Sequence, residues 1–272
     1  DSNGARLWGE KGGAPAKDAF HRLIAGGEDS AVDPQRAHGT KFAAWHVYDV
    51  PAGQQVRLDL VLSSESLATP FHRAEVVFSS RRAEADAFYQ ELLPDASPDD
   101  HRILRQALAG MIWCKQFFHY DVERWLKGDL LPPPAGHKTG RNSGWKHMKA
   151  HDVLSMPDSW EYPWFAAWDL AFHCGALALV DVDFAKHQIE LVLNERYLHP
   201  NGQIPAYEWN FSDVNPPVHA LGALKAFRAE RVQRGKTDTA FLKRVFNKLL
   251  LNYAWWINRK DADGQNVFEG GF

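Results

Sequence analysis

The stretch WEYPWFAAWDLAFH, Trp160 to His173, sets a single carboxylate, Asp169, in a segment that is otherwise almost wholly apolar and aromatic. Between Phe165 and Val180 the one acid and the one imidazole are Asp169 and His173, four residues apart and so on one face of a helix. A helix that is apolar nearly all round belongs inside a protein. A carboxylate placed there costs several kcal/mol unless it is paired, hydrogen-bonded or protonated. Desolvation raises its pKa, and an acid that keeps its proton near neutral pH is what general acid catalysis requires. The bland alternative is a core helix whose lone Asp bonds a neighbouring backbone. The flanking rings of Trp160, Tyr162, Trp164 and Trp168 favour the sharper reading, because flat apolar faces stack on sugar rings.

Working outward, two loops flank this segment. On its N-terminal side Arg141, Asn142, Trp145, His151 and Asp152 lie on one loop, and for each a structural role is at least as well supported as ligand contact. His147 and His151 sit four apart, but no helical pattern and no third ligand supports a metal there. On the other side, HPNGQIPAYEWNFSDVNPP (199–217) is dense in Gly, Pro, Asn and aromatics. Gln203, Tyr207, Glu208, Trp209, Asn210 and Asn215 offer side chains suited to sugar hydroxyls and ring faces. The competing reading is a well-capped connection between helices with proline stops.

The run RNSGWKHMKAHDVLSMPDSWEYPWFAAWDLAFH (141–173), followed by HPNGQIPAYEW (199–209) and NPPVHALGAL (215–224), resembles the catalytic half of glycoside hydrolase family 63. The resemblance spans roughly Phe20 to Phe272, and WDLAFH is its most specific element. It implies an (α/α)6 toroid that hydrolyses α-glycosidic bonds with inversion, the family including processing α-glucosidase I and bacterial mannosylglycerate hydrolases. It also implies that Asp169, in the Trp-Asp-x-x-Phe-His signature, is the general acid.

Composition is that of an ordinary globular protein, 45% apolar and 24% charged. The net charge of −3 gives no basic footprint for nucleic acid. Asp169 and His173 interrupt the best candidate for a membrane span, and no signal peptide is read at the start. Cys114 and Cys174 fall in apolar helical patterns without metal or redox spacing, so they read as buried thiols of a reducing, cytoplasmic compartment. Eleven tryptophans are the unusual figure, and several crowd the surroundings of Asp169.

The pattern changes near residue 80. TKFAAWHVYDV (40–50) and QQVRLDLVL (54–62) alternate with the period of strands around a Pro51-Ala52-Gly53 turn, after a short helical stretch about Lys17 to Ile24. Beyond Ser79 the pattern is helical. Arg81–Leu93 is one helix, stopped by Pro94. Ser97 caps a long one reaching about Lys127. Further helices are expected over Trp164–Val180, Phe184–Tyr197, Val218–Gln233 and Asp238–Arg259, the last striped by Leu242, Phe246, Leu249, Tyr253, Trp256 and Ile257. Pro132-Pro133-Pro134 is a local loop.

The fold class is therefore mainly α, part of an (α/α)6 toroid preceded by a small β-rich segment. Residues 1–79 read as the end of a β-rich domain and a linker, and 80–272 as the first half of the toroid. About six helices follow residue 80 where a toroid needs twelve, so the remaining half of the toroid is an expected partner. The base Glu that the resemblance requires belongs to that half, and Glu208 is the strongest substitute within the chain. Oxygen donors at Asp261, Asp263, Gln265 and Glu269 have alternate spacing that suits calcium. Yet Gly264 stands fourth instead of sixth for an EF-hand loop, and a turn after the last helix is the plainer reading. No cofactor is otherwise required.

The expected activity is that of an inverting glycosidase acting on an α-glucoside or α-mannoside, its partner being an oligosaccharide or small glycoside. Two rivals stand beside it. A non-catalytic carbohydrate-binding toroid would keep the tryptophans without needing a buried acid. Another toroid enzyme, a sugar epimerase or a terpenoid cyclase, would show paired pocket histidines or an Asp-rich motif, and neither is evident.

Overall fold

A computed structural model describes residues 18–270 except 34, 36, 40, 129–132 and 134. The ends of three expected features, Lys17, Thr40 and the Pro132 and Pro134 of the proline tract, lie outside the described residues. The chain divides into two compact units, residues 1–78 and 79–272.

In the first unit, helix α1 (Ala19–Ile24) is followed by a long stretch without regular structure. The expected strands of 40–50 and 54–62 form no ladder among the described residues, although the turn between them is present, Gln54 N–H reaching the Pro51 carbonyl at 3.0 Å. The reason is a missing partner. Both segments leave their large apolar side chains in solvent, Phe42 at 90% and Leu62 at 103% exposure. A hairpin with nothing against its apolar face is marginal in water.

Helix α2 (Ala74–Leu92) begins seven residues earlier than the expected Arg81 and buries none of its side chains. Helix α3 (Pro98–Trp113) starts as expected: Ser97 Oγ accepts from the Asp100 N–H at 3.2 Å, and Pro98 opens the first turn. It does not continue to Lys127. The chain leaves the helix after Trp113 and enters strand β1 (Lys115–Asp121), then the short helix α4 (Val122–Lys127). Strand β1 pairs antiparallel with β2 (Lys149–Ser155), with His119 opposite His151. KQFFHYD alternates as a strand should, Phe118 buried between exposed Phe117 and His119. A pairing partner some thirty residues on wins over helical propensity, and that partner was invisible in a segment that reads as loop.

The core forms around helix α5 (Ala167–Leu177), which buries Leu170, Ala171, Cys174 and Leu177. Helix α6 (Val182–Val192) turns Val182, Ala185, Ile189 and Val192 inward and is capped by Asp181, whose carboxylate accepts from the Phe184 N–H at 3.0 Å. Buried Gln188 satisfies both kinds of group on β2, accepting from the Ser155 N–H and donating to the Val153 carbonyl, each at 3.0 Å. Helix α7 (His219–Arg234) ends at Gly235 in the left-handed region (φ 62°). It approaches α5 so closely that a Cβ on Gly222 would stand 2.6 Å from the Ala171 carbonyl oxygen. Helix α8 (Thr239–Arg259) is capped by Asp238 through the Phe241 N–H at 2.8 Å. The described residues are thus mostly helical, with one two-stranded sheet. Among them no helix is long and apolar enough to cross a membrane.

Candidate active site

The lead-in to α5 and the loop after α6 are tied together by backbone hydrogen bonds. Ala166 and Tyr207 form an antiparallel bridge. The Ala167 N–H reaches the Ala206 carbonyl at 2.8 Å, and the Glu208 N–H reaches the Phe165 carbonyl at 3.0 Å. The tie brings the acid helix and the sugar-loop candidates, about forty residues apart in sequence, to one place.

Asp169 sits in the first turn of α5, half-buried, and among the described residues no other side chain hydrogen-bonds its carboxylate. Burial pushes its pKa up, against a pull downward from His173. His173 is held by Ser155, with Nδ1 and Oγ 2.9 Å apart, and burial lowers its pKa while Asp169 opposes that. Such an acid keeps its proton to a higher pH than an ordinary aspartate. Glu208 behaves alike: burial raises its pKa, while the Phe165 N–H, 3.3 Å from Oε2, and the charge of Arg141 pull it down.

An aromatic row runs along the residues flanking Glu208 and Phe165. Tyr162 and Trp164 have ring centroids 4.0 Å apart, and Trp164 meets the edge of Trp209 at 5.9 Å. The Arg141 guanidinium lies 4.6 Å from the Trp209 centroid and 5.1 Å from that of Trp125. Trp160 stands apart from the row, 92% exposed at the tip of a turn in which Asp158 accepts from the Trp160 and Glu161 N–H groups. Trp168 also stands apart, its ring neighbour being Phe172 at 5.9 Å.

Several polar candidates are committed to shaping the loop. Gln203 is buried, and its Nε2 donates to the Ser212 and Asp213 carbonyls at 3.0 and 3.2 Å. Asn210 donates to Asp213 Oδ1 at 2.5 Å, Tyr207 hydrogen-bonds the Asp213 carboxylate, and Asn215 donates to the Ala206 carbonyl at 3.0 Å. On the opposite loop, Trp145 is buried and donates to Ser212 Oγ at 2.9 Å. Asp152 receives the Tyr197 hydroxyl and the Arg196 guanidinium, each at 3.0 Å. His151 is exposed on β2.

The keystone of the two loops is Asn142. It is buried in a left-handed conformation (φ 61°), which Asn tolerates better than most residues. Its Nδ2 donates to the Glu208 carbonyl at 2.6 Å, and its Oδ1 accepts from the Phe211 N–H at 2.8 Å. The sequence signal was an Asn before Ser-Gly, which marks a turn but not its distant partners. Buried His219, where α7 begins, was not singled out from the sequence at all.

The Asp261 segment is a turn after α8. Both carboxylate oxygens of Asp261 accept backbone hydrogen bonds, from the Gln265 and Asn266 N–H groups at 2.9 and 3.0 Å, and Asp263, Gln265 and Glu269 are exposed. Among the described residues no three carboxylate, imidazole or thiol groups converge as a metal site.

Residues 162–270 match a glycoside hydrolase domain. It is the one described as the mannosylglycerate hydrolase MGH1-like glycoside hydrolase domain, so the resemblance read from the sequence stands over the stretch holding Asp169 and Glu208. The whole chain is 44% identical to an uncharacterized protein of Saccharomyces cerevisiae, and it spans 26% of that protein's length. No solved structure matches the chain.

Proposed function

We propose that this chain carries the acid side of an inverting glycosidase site acting on an α-glucoside or α-mannoside, with Asp169 as general acid. One observation carries the reading: a half-buried carboxyl, with no hydrogen bond from another side chain among the described residues, in the first turn of the helix whose lead-in is tied to the loop carrying Glu208 and Trp209. Apart from a hydrogen bond within its own backbone turn, the carboxyl is free among the described residues to meet a leaving-group oxygen. Inversion needs a second carboxylate, about 6.5–9.5 Å away, to activate water on the opposite face of the ring. We assign that base to the remaining half of an (α/α)6 toroid and give Glu208 the role of holding substrate hydroxyls. Arg141 bears on the aglycone. Its Nε is buried without a partner and it forms no ion pair among the described residues, which suits a negative charge on the leaving group such as the glycerate in the matched domain's description. The free thiols Cys114 and Cys174 fit a cytoplasmic setting.

The test is Asp169→Asn in the full-length protein. Hydrolysis of glycosides with poor leaving groups should fall by about 10²–10⁴-fold, the usual worth of general acid catalysis, while sugar binding persists. Glycosyl fluorides, whose leaving group needs little protonation, should be affected less. Wild-type turnover by the Asn variant on a natural glycoside overturns the assignment. Proton NMR of early product should show the β-anomer released from an α-glycoside; retention would place a nucleophile about 5–5.5 Å from the acid instead.

A further inference from the structure

Behind the sugar loop lies a small cavity of about 20 Å³, walled by Ile204, Asn215, His219, Asn252, Trp255 and Trp256. Two of the residues lining it carry buried polar atoms without a hydrogen-bond partner of good geometry among the described residues. His219 is 2% exposed, and among the described residues neither ring nitrogen makes a hydrogen bond of good geometry, the Ala167 backbone acting on one of them only as a weak upward pull on its pKa. Asn215 spends its amide on the Ala206 carbonyl, and its buried Oδ1 has no donor. The cavity has a definite size. A single water needs roughly 10–15 Å³ measured this way and two to four polar partners, so the space suffices for one water.

We infer that this cavity is a binding site for one ordered water that links Asn215 Oδ1 to the His219 imidazole. Burial drives the pKa of His219 down to about 4, so the ring is neutral and has one bare nitrogen and one N–H. The water donates one hydrogen to Asn215 Oδ1. Its second contact is with the ring, donating to the bare nitrogen or accepting from the N–H. Two groups that the protein itself leaves unpaired are satisfied at once. Asn215 closes the loop that carries Glu208, and His219 opens α7, so the water is a joint between loop and helix. This stands independently of whether the site hydrolyses glycosides.

A crystal structure of the full-length protein that shows ordered solvent tests it. A density peak within hydrogen-bond distance of both Asn215 Oδ1 and a His219 ring nitrogen is expected. A cavity with no density, or a His219 side chain bonded directly to Asn215, overturns the proposal. The melting temperature of His219→Phe gives a second reading with opposite signs. If the water is held, Phe removes one of its anchors and melting falls by several degrees. An imidazole buried with no partner is a liability that Phe would relieve, so an unchanged or higher melting temperature also overturns it.

Discussion

At the scale of single residues, the Asp169 carboxyl, the proposed general acid, is a cost to folding. Burial holds the Asp169 pKa above its value in the unfolded chain, so ionisation is harder in the folded state than in the unfolded one. The sign of the linkage follows. Stability from this group is full at low pH and is lost as pH rises through the folded pKa. Asp169→Asn, which cannot ionise, should therefore melt above wild type at neutral pH, with the gap closing as the pH falls into the acid range. Melting curves across pH check this, and a variant less stable than wild type at neutral pH would show that the carboxylate is held by the fold. Asn142 makes the opposite case, a residue whose value is structural. Asn142→Ala strands the Glu208 carbonyl and the Phe211 N–H. Each buried group left unpaired costs about 1–3 kcal/mol, and a left-handed backbone at Ala adds about 1–2 kcal/mol. Denaturant titration should show a loss of that order, and Asn142→Gly should recover the backbone part alone. That Asp169 would lie half-buried on a helix was legible in the sequence, because one acid in an apolar segment is a local anomaly. Asn142 was singled out with a structural role in view, but its partner was not legible, lying 66 residues away.

At the scale of elements, three helices meet at one ammonium group. Lys186 of α6 reaches Glu230 of α7 at 2.9 Å and Asp238, the cap of α8, at 2.8 Å. The Lys186 and Glu230 side chains are only 11% and 8% exposed, so little water can replace a lost partner. Breaking a buried pair from one side typically costs about 3–5 kcal/mol. Lys186→Met should therefore destabilise by about that much, and adding Glu230→Gln should restore part of it; a loss below about 1 kcal/mol would mean that water reaches the pair. The bounds of α8 were readable from its Asp238 cap to within a residue, but the expected stripe was not the buried face: Phe241, Val245, Asn252, Trp255 and Trp256 turn inward, while Phe246, Tyr253 and Ile257 are exposed. Helices were misread where long-range pairing decided the outcome. The β1–β2 ladder cuts the expected Ser97–Lys127 helix at Trp113, and no local signal announces it. In 41–62 the alternation was real but found no partner strand, so periodicity alone did not make a sheet.

At the scale of the whole molecule, the arrangement of apolar surface is the telling feature. Helix α5 buries one face yet leaves Phe172 in solvent, Leu179 just after it is exposed as well, and α8 exposes Phe246, Leu250, Leu251 and Tyr253. Helix α2 buries nothing. Exposed apolar faces of this extent mark a surface meant to be covered, and the proposed toroid would supply the cover in the form of its other helices. From this follows a prediction for the 272 residues expressed alone. They should self-associate, because those faces have no partner, and they should not hydrolyse glycosides. On the proposed reading the base and one wall of the site belong to the rest of the toroid, so the attacking water would not be activated, which alone costs about 10²–10⁴-fold, and the sugar would be neither held in line nor shielded from solvent. Sizing chromatography paired with assays on aryl α-glucosides and α-mannosides tests both halves of the claim. A monodisperse, active monomer would place the base within this chain, and Glu208→Gln would then be the first variant to measure, because its half-buried carboxyl is tied to the acid helix through Phe165.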